Sequence, residues 1–186
     1  MTKRALPYWI SLAILMAMVV ILYLNGRNLI CPCGYVQLWG GNVPTEQSSQ
    51  HLIDWYTPSH LLHGILFYGI LWLFARRLPF GTRLAIAVAV EVAWEIVENS
   101  AWVIERYRTH TVSFDYNGDS IINSLVDVLA MVLGFFLASR IPVWASVAIV
   151  IGFEVLTMYL IRDGLALNIL MLVWPLDSVL QWQQGG

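Results

Sequence analysis

Three sets of polar residues recur at helical spacing inside otherwise apolar stretches. His60 and His63 lie three residues apart, Glu91, Glu95 and Glu98 stand at i, i+4 and i+7, and Asp119, Asn123 and Asp127 follow at i+4 steps. Each spacing gathers its set on one helical face. Ionisable groups within a membrane span are costly and face a bundle interior or a wet cavity, so each is a candidate functional residue. Two imidazoles, several carboxylates and an amide from different helices match a bundle-core metal centre, and nitrogen with carboxylate oxygen suits zinc, manganese or iron. Proton relays use the same residue types. The spacing is not the Glu-x-x-His pair of di-iron carboxylate bundles, so that assignment is not made.

The expected metal ligands are His60, His63, Glu95 and Asp127, with Glu95, Glu98 and Asp127 as the catalytic carboxylates and Glu98 as general base. Asp119 and Asn123 are expected to touch substrate. Arg106 and Arg108 suit an anionic headgroup or phosphate through bidentate contacts, or bind lipid without chemistry.

Depth supports the grouping. Thirteen residues separate His63 from Arg76, twelve Glu95 from Arg83 and thirteen Asp127 from Arg140, about 18–20 Å in each helix at the usual rise. His63, Glu95 and Asp127 are therefore expected in one layer with Glu154, and His60, Glu98 and Asn123 in a second layer further out. Glu91 falls nearer the cytoplasmic side. The plainer alternatives are that His60 and Asp119 cap helices, that Glu98 and Asn99 mark a wet helix end, and that Glu91 pairs with a hydroxyl or carbonyl. Three buried polar groups at equal depth, however, need one another or a shared ligand to offset desolvation.

The elements that must position these residues follow from composition. Of 186 residues 59% are hydrophobic and 12% charged, far from the balance of a soluble domain. Ten Lys+Arg against twelve Asp+Glu leave no basic surplus for nucleic acid. The chain is expected to be all-α: one membrane-embedded domain over 1–186, with five transmembrane helices at about 6–24, 59–75, 84–104, 120–139 and 142–161. The first apolar stretch lacks a cleavage site and reads as a retained span. A shorter run, 165–174, is stopped by Pro175 and is expected to be re-entrant or interfacial, with a sixth tilted span as the alternative. Lys3, Arg4, Arg76, Arg77, Arg83 and Arg140 on one side outnumber Arg27, Arg106, Arg108 and Arg162 on the other, which predicts a cytoplasmic N-terminus and outward-facing chemistry.

In the outer loops, Cys31-Pro32-Cys33-Gly34 holds both cysteines. It reads as a tight turn, a disulfide with its Cα atoms near the upper limit of the permitted range, or a two-thiolate metal ligand. The segment 50–60 could form a lid over the cavity. Trp55, Tyr56, Trp102, Tyr107, Tyr116, Trp174 and Trp182 read as an aromatic belt, and Asp119 or Ser120 is placed to cap the fourth span.

The segments CPCG at 31–34, SQHLIDWYTPSHLLHG at 49–64, EVAWEIVEN at 91–99, DYNGDSIINSLVD at 115–127 and LNILMLVWPLDSVLQWQ at 167–183 resemble an uncharacterised family of bacterial inner-membrane proteins. That resemblance implies a multi-pass protein of the inner (cytoplasmic) membrane and carries no activity. More distantly, Asp54 with His60, Glu91 with Glu95, and Asp119, Asn123 and Gly134 are similar in order to VanZ-like membrane proteins. Trp94-Glu95 departs from that pattern where a glutamine-type residue is expected, and no arginine precedes the fourth span. Three functions compete: a metal-dependent hydrolase or transferase acting on a lipid or lipid-linked substrate, a metal or proton transporter, and a non-catalytic assembly partner. Membrane lipids are the expected partners in all three.

Overall fold

The computed structural model describes residues 5–41 and 45–185. Among them are eight helices: α1 (Leu6–Leu24), α2 (Thr57–Ala75), α3 (Phe80–Glu98), α4 (Ala101–His110), α5 (Ile121–Ala138), α6 (Val143–Ile161), α7 (Leu165–Val173) and α8 (Asp177–Gln183). Proline sets four of the starts. Pro7 and Pro58 sit in the first turns of α1 and α2, and Pro79 and Pro142 are the N-caps of α3 and α6, where a missing N–H costs nothing. α1, α2, α5 and α6 are long and apolar enough to cross a membrane. Large apolar side chains face outward on them, Phe74 at 85% and Val143 at 78% exposed, as lipid-facing surfaces require.

The expected third span, 84–104, is not one helix. The chain breaks at Asn99 and Ser100, and Ser100 Oγ accepts from Val103 N (3.4 Å) to start α4. α3 matches α1 in length but carries Arg83, Glu91, Glu95 and Glu98, so it does not qualify as a span on composition and the count of five is not confirmed. Lys3 and Arg4, on which the expected orientation partly rested, lie outside the described residues. α8 was not anticipated.

α5 is the central helix. α2 packs along it, α1 and α3 pack on it and on each other, and α6 sits outside against α2. Met18, Leu22, Leu84, Val88, Val128, Met131 and Phe135 form the main apolar core. The α2–α5 crossing is made possible by two glycines: a Cβ on Gly64 would lie 1.9 Å from Met131 O, and one on Gly134 2.0 Å from Leu61 O. Small residues at a crossing allow such backbone approach. It brings the His60/His63 face of α2 against α5.

Glu154, expected in the layer of His63, instead accepts from Leu165 N (2.8 Å) and Ala166 N (3.0 Å). It caps α7, and it lies about 10 Å before the end of α6 by helical rise. The short run predicted over 165–174 therefore has its first turn held against α6 and further along meets α4, where Arg106 Nε donates to Leu172 O (2.9 Å).

Candidate functional site

Glu91 is the hub. It is fully buried; His60 Nδ1 lies 2.7 Å from its Oε1, and His63 Nδ1 lies 3.1 and 3.0 Å from Oε1 and Oε2. Glu95, one turn further along α3, brings Oε1 to 3.4 Å from His60 Nδ1. Both Glu95 carboxylate oxygens are buried without a hydrogen bond. A buried carboxylate with no partner is costly. His60, His63 and Glu91 can present ligand atoms to one metal ion, and so can His60, Glu95 and Glu98.

The expected layer of His63, Glu95 and Asp127 is shifted. Glu91, not Glu95, pairs with His63, while Glu95 and Asp127 approach His60, Asp127 Oδ2 standing 3.9 Å from His60 Nε2. The reason is local: α3 begins at Phe80, so Arg83 is already one turn inside the helix, its guanidinium over the Tyr68 ring (5.4 Å). Counting from Arg83 placed every α3 residue about one turn too close to that end of the bundle.

Next to this cluster, towards the C-terminal end of α3, lies a cavity of about 30 Å³ lined by Tyr56, His60, Glu98, Tyr107, Asp119 and Asp127 among others. A second of about 110 Å³ adjoins it through Tyr56, His60, Glu98, Tyr107 and Asn168 and adds His63, Trp94, Leu165 and Ile169. The tyrosines expected as an aromatic belt divide here. Trp102 and Trp174 are exposed, but Tyr107 donates towards Glu98 Oε1 (2.8 Å) and Asn168 Oδ1 (2.9 Å), and Tyr116 donates to Asp119 Oδ1 (2.9 Å). Burial pushes both phenols well above their usual range, and the adjacent carboxylates push them further. Asp119 also accepts from Asn99 Nδ2 (2.7 Å), and its own N–H donates back to Asn99 Oδ1 (2.7 Å). Burial raises its carboxyl to about 6 despite those hydrogen bonds.

The remaining expected site residues are placed otherwise. Asn123 donates to His51 O (2.8 Å) and leaves its Oδ1 buried and unpaired. Arg106 is committed to α7, Arg108 is exposed, and neither lines the two cavities. Asp54 Oδ1 caps α2 by accepting from Tyr56 N (2.7 Å) and Thr57 N (3.2 Å), so His60 is not a cap. Ser120, rather than Asp119, caps α5. Of the stretch 50–60, expected as a lid, Tyr56 and His60 line the cavity; Ser48 and Ser49 before it also line it, Gln50 Nε2 donates to Gly118 O (2.6 Å) and Ser120 Oγ donates to Gln50 O (3.1 Å). Cys31 and Cys33 form a disulfide with Cα atoms 5.1 Å apart, inside the usual range rather than at its limit. Beyond Glu91, the contributions of Tyr107, Asn168 and Asn99 were missed; the available signals were Asn168 as a lone amide in an apolar run and Asn99 directly after Glu98.

Fold and site together define an all-helical protein with membrane-length helices and a buried cluster of histidines and carboxylates. The chain belongs to the family described as "Protein of unknown function (DUF2585)", whose model matches residues 22–185. A UPF0314 protein of Paracoccus denitrificans is 62% identical over 182 residues, covering 98% of this chain and 94% of the relative. UPF0314 proteins of Rhizobium etli (strain CIAT 652) and Agrobacterium fabrum are 55% and 52% identical over 184 residues each, covering 98% of this chain and 94% and 93% of theirs. No solved structure matches. These comparisons carry the bacterial family and say nothing for the likeness to VanZ-like proteins.

Proposed function

We propose that this protein is a metal-dependent hydrolase or transferase of the bacterial inner membrane, acting on a lipid or lipid-linked substrate from the outer side. Glu95 carries the reading: a carboxylate with both oxygens buried and without a hydrogen bond, beside His60 and one turn from Glu91, which meets both His60 and His63. The donor separations of 2.7–3.4 Å are those of ligands around a divalent ion with bonds of about 2.0–2.2 Å. His60, His63, Glu91 and Glu95 would hold it. Such an ion supplies Lewis-acid polarisation of a carbonyl or phosphoryl oxygen.

The chain's own residues supply the rest. Tyr107 holds Glu98 Oε1, which leaves the other oxygen to take a proton from a nucleophile in the cavity. Asn168 and Asp119 offer polar contacts to a headgroup, while Trp94, Leu165 and Ile169 offer an apolar wall beside them. Catalysis is favoured over transport by the inner half of the bundle: residues 64–75, 80–90 and 128–138 contain no carboxylate or histidine, so no relay continues inward. The proposed topology keeps α3 as a fifth crossing, its acidic face turned inward, with the N-terminus cytoplasmic.

The test is metal content of the purified full chain, with hydrolysis of p-nitrophenyl esters of phosphate and carboxylate as the activity probe. The reading expects bound divalent metal, lost in Glu95→Gln, and ester turnover that chelator abolishes. Equal metal content in both proteins overturns it.

A further inference from the structure

The disulfide between Cys31 and Cys33 closes a loop with a single residue between its ends, so it constrains the unfolded chain little and adds little stability. It is nevertheless set into a built pocket. A cleft of about 550 Å³ runs beside it, and Arg27, Glu46, Gln50 and Asn117 share the lining with both cysteines. The two sulfurs differ in environment. Cys31 is 3% exposed, whereas Cys33 is open to solvent. Cys33 N donates to Cys31 Sγ (3.2 Å), a hydrogen bond that strengthens when that sulfur gains charge.

Two further groups complete the pocket. A ring nitrogen of His51 lies within 4.8 Å of both sulfurs. That ring is buried, stacks on Tyr35 (5.5 Å) and is held from two sides: Gln37 N donates to Nδ1 (3.3 Å), which places the ring hydrogen on Nε2, facing Gln47 Oε1 (3.2 Å). Gly40 makes the room, since a Cβ there would come within 2.9 Å of His51 Cδ2. Arg27 donates from Nη1 to Asn117 O (2.5 Å) and keeps a buried Nε without a hydrogen bond. A guanidinium in the lining favours a thiolate over a thiol.

We infer that Cys31 and Cys33 form a thiol–disulfide exchange site that takes a dithiol as its reductant, with Cys33 as the attacked sulfur and Cys31 as the leaving one. The inference goes beyond the proposed metal centre and does not depend on it. A thiolate of the dithiol attacks the open Cys33 Sγ; the Cys31–Cys33 bond breaks, and its electron pair passes to Cys31 Sγ, where the Cys33 N–H receives the charge. The second thiolate of the dithiol then attacks its partner sulfur in the mixed disulfide, closes the dithiol's own disulfide and releases Cys33 as a thiolate. The dithiol gives up two electrons and two protons, and the cysteine pair takes up both. A single thiol does not suffice, because Cys31, two residues from Cys33, re-attacks any mixed disulfide that lacks a competing thiol of its own.

The full chain in detergent, with its disulfide intact, is mixed with dithiothreitol, reduced thioredoxin or glutathione, and free thiols are counted over time by maleimide gel shift. The chain holds two cysteines, so every thiol gained comes from this pair. Reduction by a dithiol should run about tenfold faster in the folded protein than in the same protein denatured in urea, with little net reduction by glutathione at equal thiol concentration. Reduction by both dithiols assigns a protein-borne partner, and by dithiothreitol alone a small one. Cys31→Ser leaves the Cys33 thiol, which should label rapidly with maleimide; Cys33→Ser leaves the Cys31 thiol, which should label about tenfold more slowly. A disulfide that resists excess dithiol in the folded chain, a folded rate no higher than the denatured one, or equal labelling of the two variants overturns the site. Metal content is read on the same preparation, so the failure of this site and the failure of the metal reading are seen separately.

Discussion

Glu91→Gln and Glu95→Gln are chemically the same substitution four residues apart, yet the structure assigns them opposite consequences in metal-free protein. Glu91 faces hydrogen-bonding nitrogens of both His60 and His63. Hydrogen bonds to a charged acceptor contribute about 1.5–3 kcal/mol each; an amide keeps one acceptor at neutral strength and turns an N–H donor on the other ring, for a loss of roughly 2–4 kcal/mol. At about 2–4 °C per kcal/mol for a chain of this size, melting should fall by roughly 5–15 °C. Glu95 makes no side-chain hydrogen bond, so neutralising it removes a buried charge and should leave melting unchanged or raised. The assay is thermal melting in detergent after exhaustive chelation. Adding metal then reverses the comparison for Glu95: wild type gains about 4 kcal/mol at a thousandfold excess over Kd, and Glu95→Gln gains little. Equal losses for the two chelated variants would refute the reasoning.

Gly64→Ala should be more damaging than a surface change, because its Cβ would meet Met131 O at 1.9 Å. Overpacking against backbone costs about 1–3 kcal/mol or more, and cooperative melting should weaken or vanish, whereas Gly69→Ala, with open space around it, should not change it. Glu154→Ala removes the acceptor for two α7 amides; about 1 kcal/mol is lost locally, and hydrogen exchange at Leu165 and Ala166 should accelerate while α5 stays protected. Burial raises Asp119 and Asp163 to about 6 each, so the folded state holds protons that the unfolded chain has already released. The stability these two groups contribute should therefore be fully present below about pH 4 and be lost as pH rises to about 6, with about 3 kcal/mol from Asp119. Asp119→Asn should flatten part of that slope in a pH series of melts. Replacing both Cys31 and Cys33 by Ser should leave melting nearly unchanged, since the disulfide closes almost no loop.

The helical class and most boundaries were legible because apolar runs bounded by proline and arginine leave few alternatives. α1, α5 and α6 fall within a residue or two of expectation. The break at Asn99 was legible only as the alternative that Glu98 and Asn99 mark a wet helix end; the helical pattern resumes at once after it, and the capping geometry of Ser100 shows that the helix stops. The site was legible as a set of residues but not as a set of pairs. Periodicity places Glu91, Glu95 and Glu98 on one face, but which of them meets His63 depends on the offset between α2 and α3, and a shift of one turn makes the hub of Glu91, which was expected nearer the cytoplasmic side. Glu154 illustrates the same limit. It was expected in the layer of His63, and its use as the cap of the short α7 depends on tertiary placement.

The central claim is that a metal ion sits between His60, His63, Glu91 and Glu95, and X-ray absorption at the edge of the bound metal tests it most directly. The account predicts nitrogen and oxygen neighbours at about 2.0–2.2 Å, two-imidazole scattering, and loss of one imidazole in His63→Ala. Sulfur neighbours would point instead to Cys31, Cys33 and His51, and only after reduction of the Cys31–Cys33 disulfide. Sulfur neighbours, or a spectrum unchanged by His63→Ala, would contradict the account.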